Sequence, residues 1–210
     1  MCLAVVGTCA FAQADLNATL KRVETHYNRS KTLKVSFQES YTQGGRTRKP
    51  ESGELYLRKP GKMRWDYSNP TGKLFISDGK YLYLYTPSQN RAEKMKLKET
   101  DDLRAPLAFL LGKLDFSRDF SGLQMKAVGT DLQVTAQPKS EKLPYQQVDF
   151  VVGPEAQIKK LNVLGHDNSI LAFNFENEVV NPVLDEKMFH FVLPPGTAFV
   201  DTAEAKDSDK

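Results

Sequence analysis

The 210-residue chain is poor in the residue types on which most catalysis depends. It has two cysteines, Cys2 and Cys9, both within its first ten residues. If that segment is removed on maturation, disulfides, a cysteine nucleophile and cysteine metal ligands are excluded together. Its three histidines, His26, His166 and His190, fall in a helical pattern, a turn and a strand-like run, without metal-ligand spacing. No Gly-x-Ser-x-Gly elbow and no phosphate-cradling glycine loop occurs. Charge of one sign is lacking too. The 29 basic and 26 acidic residues leave a net +3 and are interspersed, so no nucleic-acid footprint is visible. Asp101-Asp102 reads as a solvated polar break and Asp78 as a turn residue. The expectation is a protein that is not an enzyme, uses no cofactor or metal and binds no nucleic acid.

Long hydrophobic runs are also missing. The apolar stretch from Cys2 to Phe11 is too short to span a bilayer. Two small-x-small sites follow, Ala10-Phe11-Ala12 and Ala12-Gln13-Ala14, so residues 1–14 are expected to be the end of a secretory signal that lacks its positive n-region. Val6-Gly7-Thr8 before Cys9 is a poor lipidation signal. Residues 15–203 are expected to form one domain, and 204–210 a disordered tail.

What the chain has is aromatic and aliphatic residues arranged with strand periodicity. The stretch Gly53 to Tyr85 reads as four short strands: Leu55–Arg58, Lys62–Tyr67, Leu74–Ile76 and Tyr81–Tyr85. Their turns are Lys59-Pro60-Gly61, Ser68 to Gly72, and Ser77-Asp78-Gly79-Lys80. Asp-Gly between apolar runs is a strong hairpin signal, because the tight turn needs positive φ. Prolines 60 and 70 lack an N–H and belong in turns. In the second strand Met63, Trp65 and Tyr67 share one face, and Lys62, Arg64 and Asp66 the other. The apolar face either packs into a core or lines a cavity.

Before this stretch, Leu16, Leu20, Val23 and Tyr27 recur at helical spacing, with Asp15 as the expected N-cap. Lys34 to Thr42 alternates, with Val35 and Phe37 facing one way. After it, Pro106 to Gly112 reads as a short helix, apolar all round, that must be covered or must cover something. Strands are expected at 123–128, 132–136, 145–152, 157–164 and 170–179, then a helical turn at 184–188 and a last strand over Phe189–Val192. With no catalytic constellation, a half-open sheet under helices is a natural lipid pocket.

The run Arg58-Lys59-Pro60-Gly61-Lys62-Met63-Arg64-Trp65-Asp66-Tyr67, with Pro70, Phe75-Ile76-Ser77-Asp78-Gly79-Lys80 and Leu84-Tyr85, resembles the LolA family, the periplasmic carriers of outer-membrane lipoproteins. Phe37-Gln38 upstream and Asp185 to Phe191 with Pro194-Pro195-Gly196-Thr197 downstream fit the same pattern, and Pro106–Gly112 sits where that family's lid helix falls. The resemblance implies an α+β fold, an incomplete antiparallel β-barrel of about eleven strands with helices as a lid over an apolar cavity. It implies lipoprotein acyl chains as cargo, an inner-membrane ABC transporter of the lipoprotein-releasing type as donor and an outer-membrane lipoprotein as acceptor. It also implies a periplasmic location, and a monomer is expected. The lipid-binding residues would be Phe37, Leu55, Leu57, Met63, Trp65, Tyr67 and Phe75 on the wall, with Leu16, Leu20, Val23, Phe109 and Leu110 on the lid. The family has an arginine before the proline that ends the first of these strands, implied to hold the lid through helix backbone. Here Lys59 occupies that position, and Arg58 lies one residue earlier, on the opposite face. The alternative is a related lipid-binding module of the same fold, either an outer-membrane acceptor or a sensor domain for lipid or lipoprotein.

Overall fold

Strand β4 (Lys62–Asn69) turns alternation in sequence into alternation in burial: Met63, Trp65 and Tyr67 are buried, while Lys62, Arg64 and Asp66 are half-buried on the other face. Its neighbours extend the apolar face. Strand β1 (Thr32–Gln43) contributes Leu33, Val35 and Phe37, β3 (Glu51–Arg58) contributes Leu55 and Leu57, and β5 (Leu74–Asp78) contributes Phe75. The register aligns Val35, Leu55, Trp65 and Phe75 in one row across the four strands. Such cross-strand rows are the unit of sheet stabilisation.

The computed structural model describes residues 8–97 and 114–203. Among them, thirteen strands form one sheet. The two-residue β2 (Arg46–Thr47) pairs with β1 off the main path. The remaining strands are β6 (Tyr81–Thr86), β7 (Arg91–Lys96), β8 (Phe120–Val128), β9 (Asp131–Pro138), β10 (Tyr145–Val152), β11 (Ile158–Gly165), β12 (Ile170–Val180) and β13 (Ala198–Asp201). The order is β13-β7-β6-β5-β4-β3-β1-β12-β11-β10-β9-β8. Every pair is antiparallel except β13 on β7, and β8 and β13 do not meet, so the sheet is an open, incomplete barrel. The two strands beyond the expected eleven are the short β2 and the C-terminal β13.

Two local devices set the register. Asp78 accepts hydrogen bonds from the backbone N–H of Lys80 and Tyr81 at 2.8 and 2.7 Å, which shapes the β5–β6 turn. Gly53 lies at a register shift between β3 and β4, where a Cβ would collide with the Asp66 carbonyl oxygen.

Helix α1 (Thr8–Arg29) lies on the inner face. Leu16, Leu20, Val23 and Tyr27 are all buried and belong to the same core cluster as the β1–β5 residues. The helix runs through Asp15, which is therefore not its N-cap. The residues before it, Ala10, Phe11, Ala12, Gln13 and Ala14, include good helix formers that let the helix propagate toward the N-terminus. A second helix, α2 (Phe116–Asp119), is one turn capped by Asp115.

The expected strand over Phe189–Val192 is absent. Asp185 caps a 3₁₀ turn over Glu186–Phe189, its carboxylate accepting from the Lys187 N–H at 2.9 Å. Phe189 is fully buried, and Phe191 stacks on Tyr83 at 5.2 Å. These apolar residues serve as plugs on the outer face, not as alternating strand positions. The segment is strapped across that face by the charged side of the sheet. Arg58 donates to the Leu184 carbonyl at 2.9 Å, Arg64 donates to the Met188 carbonyl at 3.0 Å, and Lys62 pairs with Glu186. Beyond it lies β13.

Candidate functional site

Ten of the residues singled out from sequence converge. Leu16, Leu20 and Val23 from α1 meet Phe37, Leu55, Leu57, Met63, Trp65, Tyr67 and Phe75 from four strands in one buried cluster. The other two, Phe109 and Leu110, lie outside the described residues, as do the Pro106–Gly112 run and Asp101-Asp102. Trp65 is the centre of an aromatic group. Phe37 packs edge-on against it at 4.7 Å, Phe75 at 6.5 Å, and Phe173 of β12 lies at 5.5 Å. Phe173 was not predicted to be part of this group. Its strand was visible in the sequence, but the β1–β12 pairing that brings it here spans more than a hundred residues.

The polar contacts lie at the C-terminal end of α1. Lys59 Nζ donates to the Tyr27 carbonyl oxygen at 2.8 Å. The last carbonyls of a helix have no intrahelical donor and carry partial negative charge, so a cation there is favourable. Partial burial lowers the Lys59 pKa from 10.5. The single ammonium thus reaches helix backbone, the role implied for the family's arginine, through one nitrogen instead of a planar fork.

The Tyr27 hydroxyl works on the opposite side. It donates to Glu178 at 2.9 Å and accepts from the Ile158 N–H at 2.7 Å, and the His26 ring nitrogen lies 2.6 Å from the same carboxylate. Burial first, then the Glu178 charge, raises the Tyr27 pKa well above 10.0. Two further residues tie α1 to the chain entering α2. The Asn28 side-chain amide donates to the Leu114 carbonyl and accepts from the Leu114 N–H, both at 2.8 Å. Glu24 accepts from the Phe116 N–H at 3.0 Å. Glu24, Asn28 and Glu178 were missed from sequence; each is a polar residue whose partner is about ninety residues away or more, and no local pattern marks it. The helix is therefore apolar toward the wall and hydrogen-bonded at its C-terminal end.

Among the described residues no three of His, Cys, Asp or Glu come together as metal ligands, and no helix is long and apolar enough to cross a membrane.

The comparison with known proteins is decided by a family model, "Outer membrane lipoprotein carrier protein LolA", which matches residues 28–192. The chain belongs to the LolA family. The matched span runs from Asn28, the residue that binds Leu114, through the wall strands to the strap on the outer face. Among curated LolA relatives, the outer-membrane lipoprotein carrier protein of Pseudomonas paraeruginosa is 28% identical over 194 residues, covering 91% of each chain. That of Chromobacterium violaceum is 28% identical over 197 residues, covering 92% of this chain and 91% of its own. In fold, the chain resembles the crystal structure of an uncharacterized conserved protein from Thermus thermophilus, at 11% identity and a TM-score of 0.51, over 89% of this chain and 99% of that one.

Proposed function

We propose that this LolA-family protein carries lipoproteins through the periplasm, burying their acyl chains between the β1–β5 wall and α1. It takes cargo from an inner-membrane ABC transporter of the lipoprotein-releasing type and passes it to an outer-membrane acceptor, working as a monomer without a cofactor. The observation that carries this reading is the convergence of α1 and four strands on one continuous apolar surface, with the helix held at one end by polar contacts that can be broken. The name shared by its curated relatives supports the same reading.

Helix α1 packs on the same strand residues that the cargo would meet, so cargo must displace it. Covering Leu16, Leu20 and Val23 is worth about 1.5–3 kcal/mol each, on the order of 5–10 kcal/mol together. A buried methylene contributes about 0.8 kcal/mol, so roughly ten acyl methylenes match the helix's apolar grip. The helix's grip therefore offsets only part of what burying several acyl chains gains, which lowers the net affinity and favours release. Cargo bound near the limit of non-covalent affinity would not be released.

Leu20→Glu places a charge on the face of α1 that meets the wall. The variant is expected to lose co-purified lipoprotein in a pull-down while circular dichroism retains the sheet signal. The milder Leu20→Ala keeps the helix and is expected to reduce retention. Wild-type retention by both variants would sink the reading.

A further inference from the structure

Next to the Lys59 contact is a feature that burial of acyl chains does not use. The end of α1 and the end of β3 border a groove of about 570 Å³ lined by Arg29, Lys31, Thr32, Arg58, Lys59 and Asn181. Four of the six are cations and none is acidic. Arg58 is engaged by the Leu184 carbonyl and by Glu186, the nearest acid on the strap, at 3.2 Å. Glu178, on the other side of α1, is taken up by His26 and Tyr27. Among the described residues, the exposed side chains of Arg29 and Lys31 have no ion-pair partner.

Exposed aliphatic residues flank the chain segment that borders the groove. Thr32 Oγ1 donates to the Pro182 carbonyl at 2.7 Å, and the Asn181 side chain accepts from the Lys31 N–H at 2.8 Å, so residues 180–183 stand beside the cations. Val183 is fully exposed, and Val179 and Val180 are 48% and 40% exposed. Cations next to protruding aliphatic side chains match a bilayer surface with negative headgroups, since such a surface offers phosphate to the first and acyl chain to the second. A free anion would not use the valines, and a neutral bilayer would not use the cations.

Lys59 belongs both to the groove and to the contact with α1. Behind it a small cleft, bordered by Tyr27, Leu33 and Leu57, leads toward the apolar wall. We propose that the Arg29–Lys31–Arg58–Lys59 groove docks the protein on an anionic lipid surface through headgroup phosphate, and that docking draws Lys59 away from the Tyr27 carbonyl and loosens α1 at the membrane. Tyr27 O and a phosphate oxygen compete for one ammonium, and the phosphate carries the larger charge. The loosening half rests on the carrier reading, because it matters only if α1 covers the cargo site. Opening would then be coupled to arrival at a bilayer.

The test is co-flotation of the purified protein with vesicles of phosphatidylcholine, with and without phosphatidylglycerol, at low and high salt. Binding only to phosphatidylglycerol vesicles, weakened by salt, supports the proposal. The double variant Arg29→Glu/Lys31→Glu alters two exposed side chains and is expected to bind these vesicles at least about thirtyfold more weakly. Equal binding to neutral vesicles, or full retention by the double variant, overturns docking. Inorganic phosphate that blocks vesicle binding at matched charge assigns the groove to a free anion and overturns the lipid assignment.

Hydrogen exchange reads the second half. Amides of the last turns of α1 are expected to exchange faster with phosphatidylglycerol vesicles present, and unchanged exchange with binding intact overturns the coupling. Retention of lipoprotein by the double variant separates the two readings: normal retention leaves the carrier function standing whatever the vesicles show.

Discussion

Lys59 Nζ and the Tyr27 carbonyl oxygen, 2.8 Å apart, join the turn after β3 to the last turn of the helix that covers the wall. Removing the ammonium leaves that carbonyl without its side-chain donor, and Lys59→Met is expected to cost about 1 kcal/mol, roughly 2–4 °C in Tm. Lys59→Arg restores a cation with more donors and is expected to hold α1 at least as tightly. Thermal melts of the two variants side by side check the sign. A Met variant as stable as wild type would mean that the contact does not hold the helix.

Asn28 makes a two-hydrogen-bond pair with the backbone of Leu114. Asn28→Ala breaks both bonds and is expected to cost about 1–2 kcal/mol. Hydrogen exchange at Leu114 and Phe116 should rise more than exchange in β9 to β11, because the loss is local to the α1 contact. A uniform rise across the sheet would contradict the assignment.

Gly53→Ala puts a methyl group into the Asp66 carbonyl oxygen of the paired strand. Backbone cannot swing aside as a side chain can, so the β3–β4 register must open. A destabilisation of about 1–3 kcal/mol is expected from urea denaturation, with the m-value unchanged.

Alkaline stability is set partly by buried tyrosine. Burial first, then the charge of Asp119, pushes the Tyr145 pKa from 10.0 up to about 12. Between those values the folded protein keeps a proton that the unfolded chain has lost, so stability falls as pH rises, by about 2–3 kcal/mol across the window. Tyr27 is shifted the same way and steepens the fall. Lys59, lowered from 10.5, acts with the opposite sign just below that value, where the unfolded chain binds more protons. Tyr145→Phe is expected to flatten the slope of urea midpoints between about pH 10 and 12. An unaltered slope would show that Tyr145 does not hold its proton there.

The wall was legible because its signals are local. Alternation at Met63, Trp65 and Tyr67 needs only a period of two, the Asp78-Gly79 turn is a tetrapeptide signal, and the buried face of α1 repeats every three to four residues. In the C-terminal strap the expected helical turn is present as the 3₁₀ turn Glu186–Phe189, but the strand expected after it is not, for the same reason. Phe189, Phe191 and Val192 have the composition of a strand, yet Phe189 is fully buried and Val192 is 81% exposed, because Phe191 stacks on Tyr83 and the turn before it packs on β4 and β5. The bonds from Glu24 and Asn28 to residues 114–116, and from Tyr27 to Glu178, depend on chain segments that meet only in the folded state. They left no trace in sequence spacing.

The strap also divides the sheet mechanically. Arg58, Lys62 and Arg64 belt residues 184–188 to the convex side, so the strands are braced from behind by groups that never contact the wall. Packing on the concave side can then change without releasing the strands from that brace. Arg64→Ala would loosen the brace while leaving every wall residue in place, so stiffness of the scaffold and packing of the inner face can be varied independently.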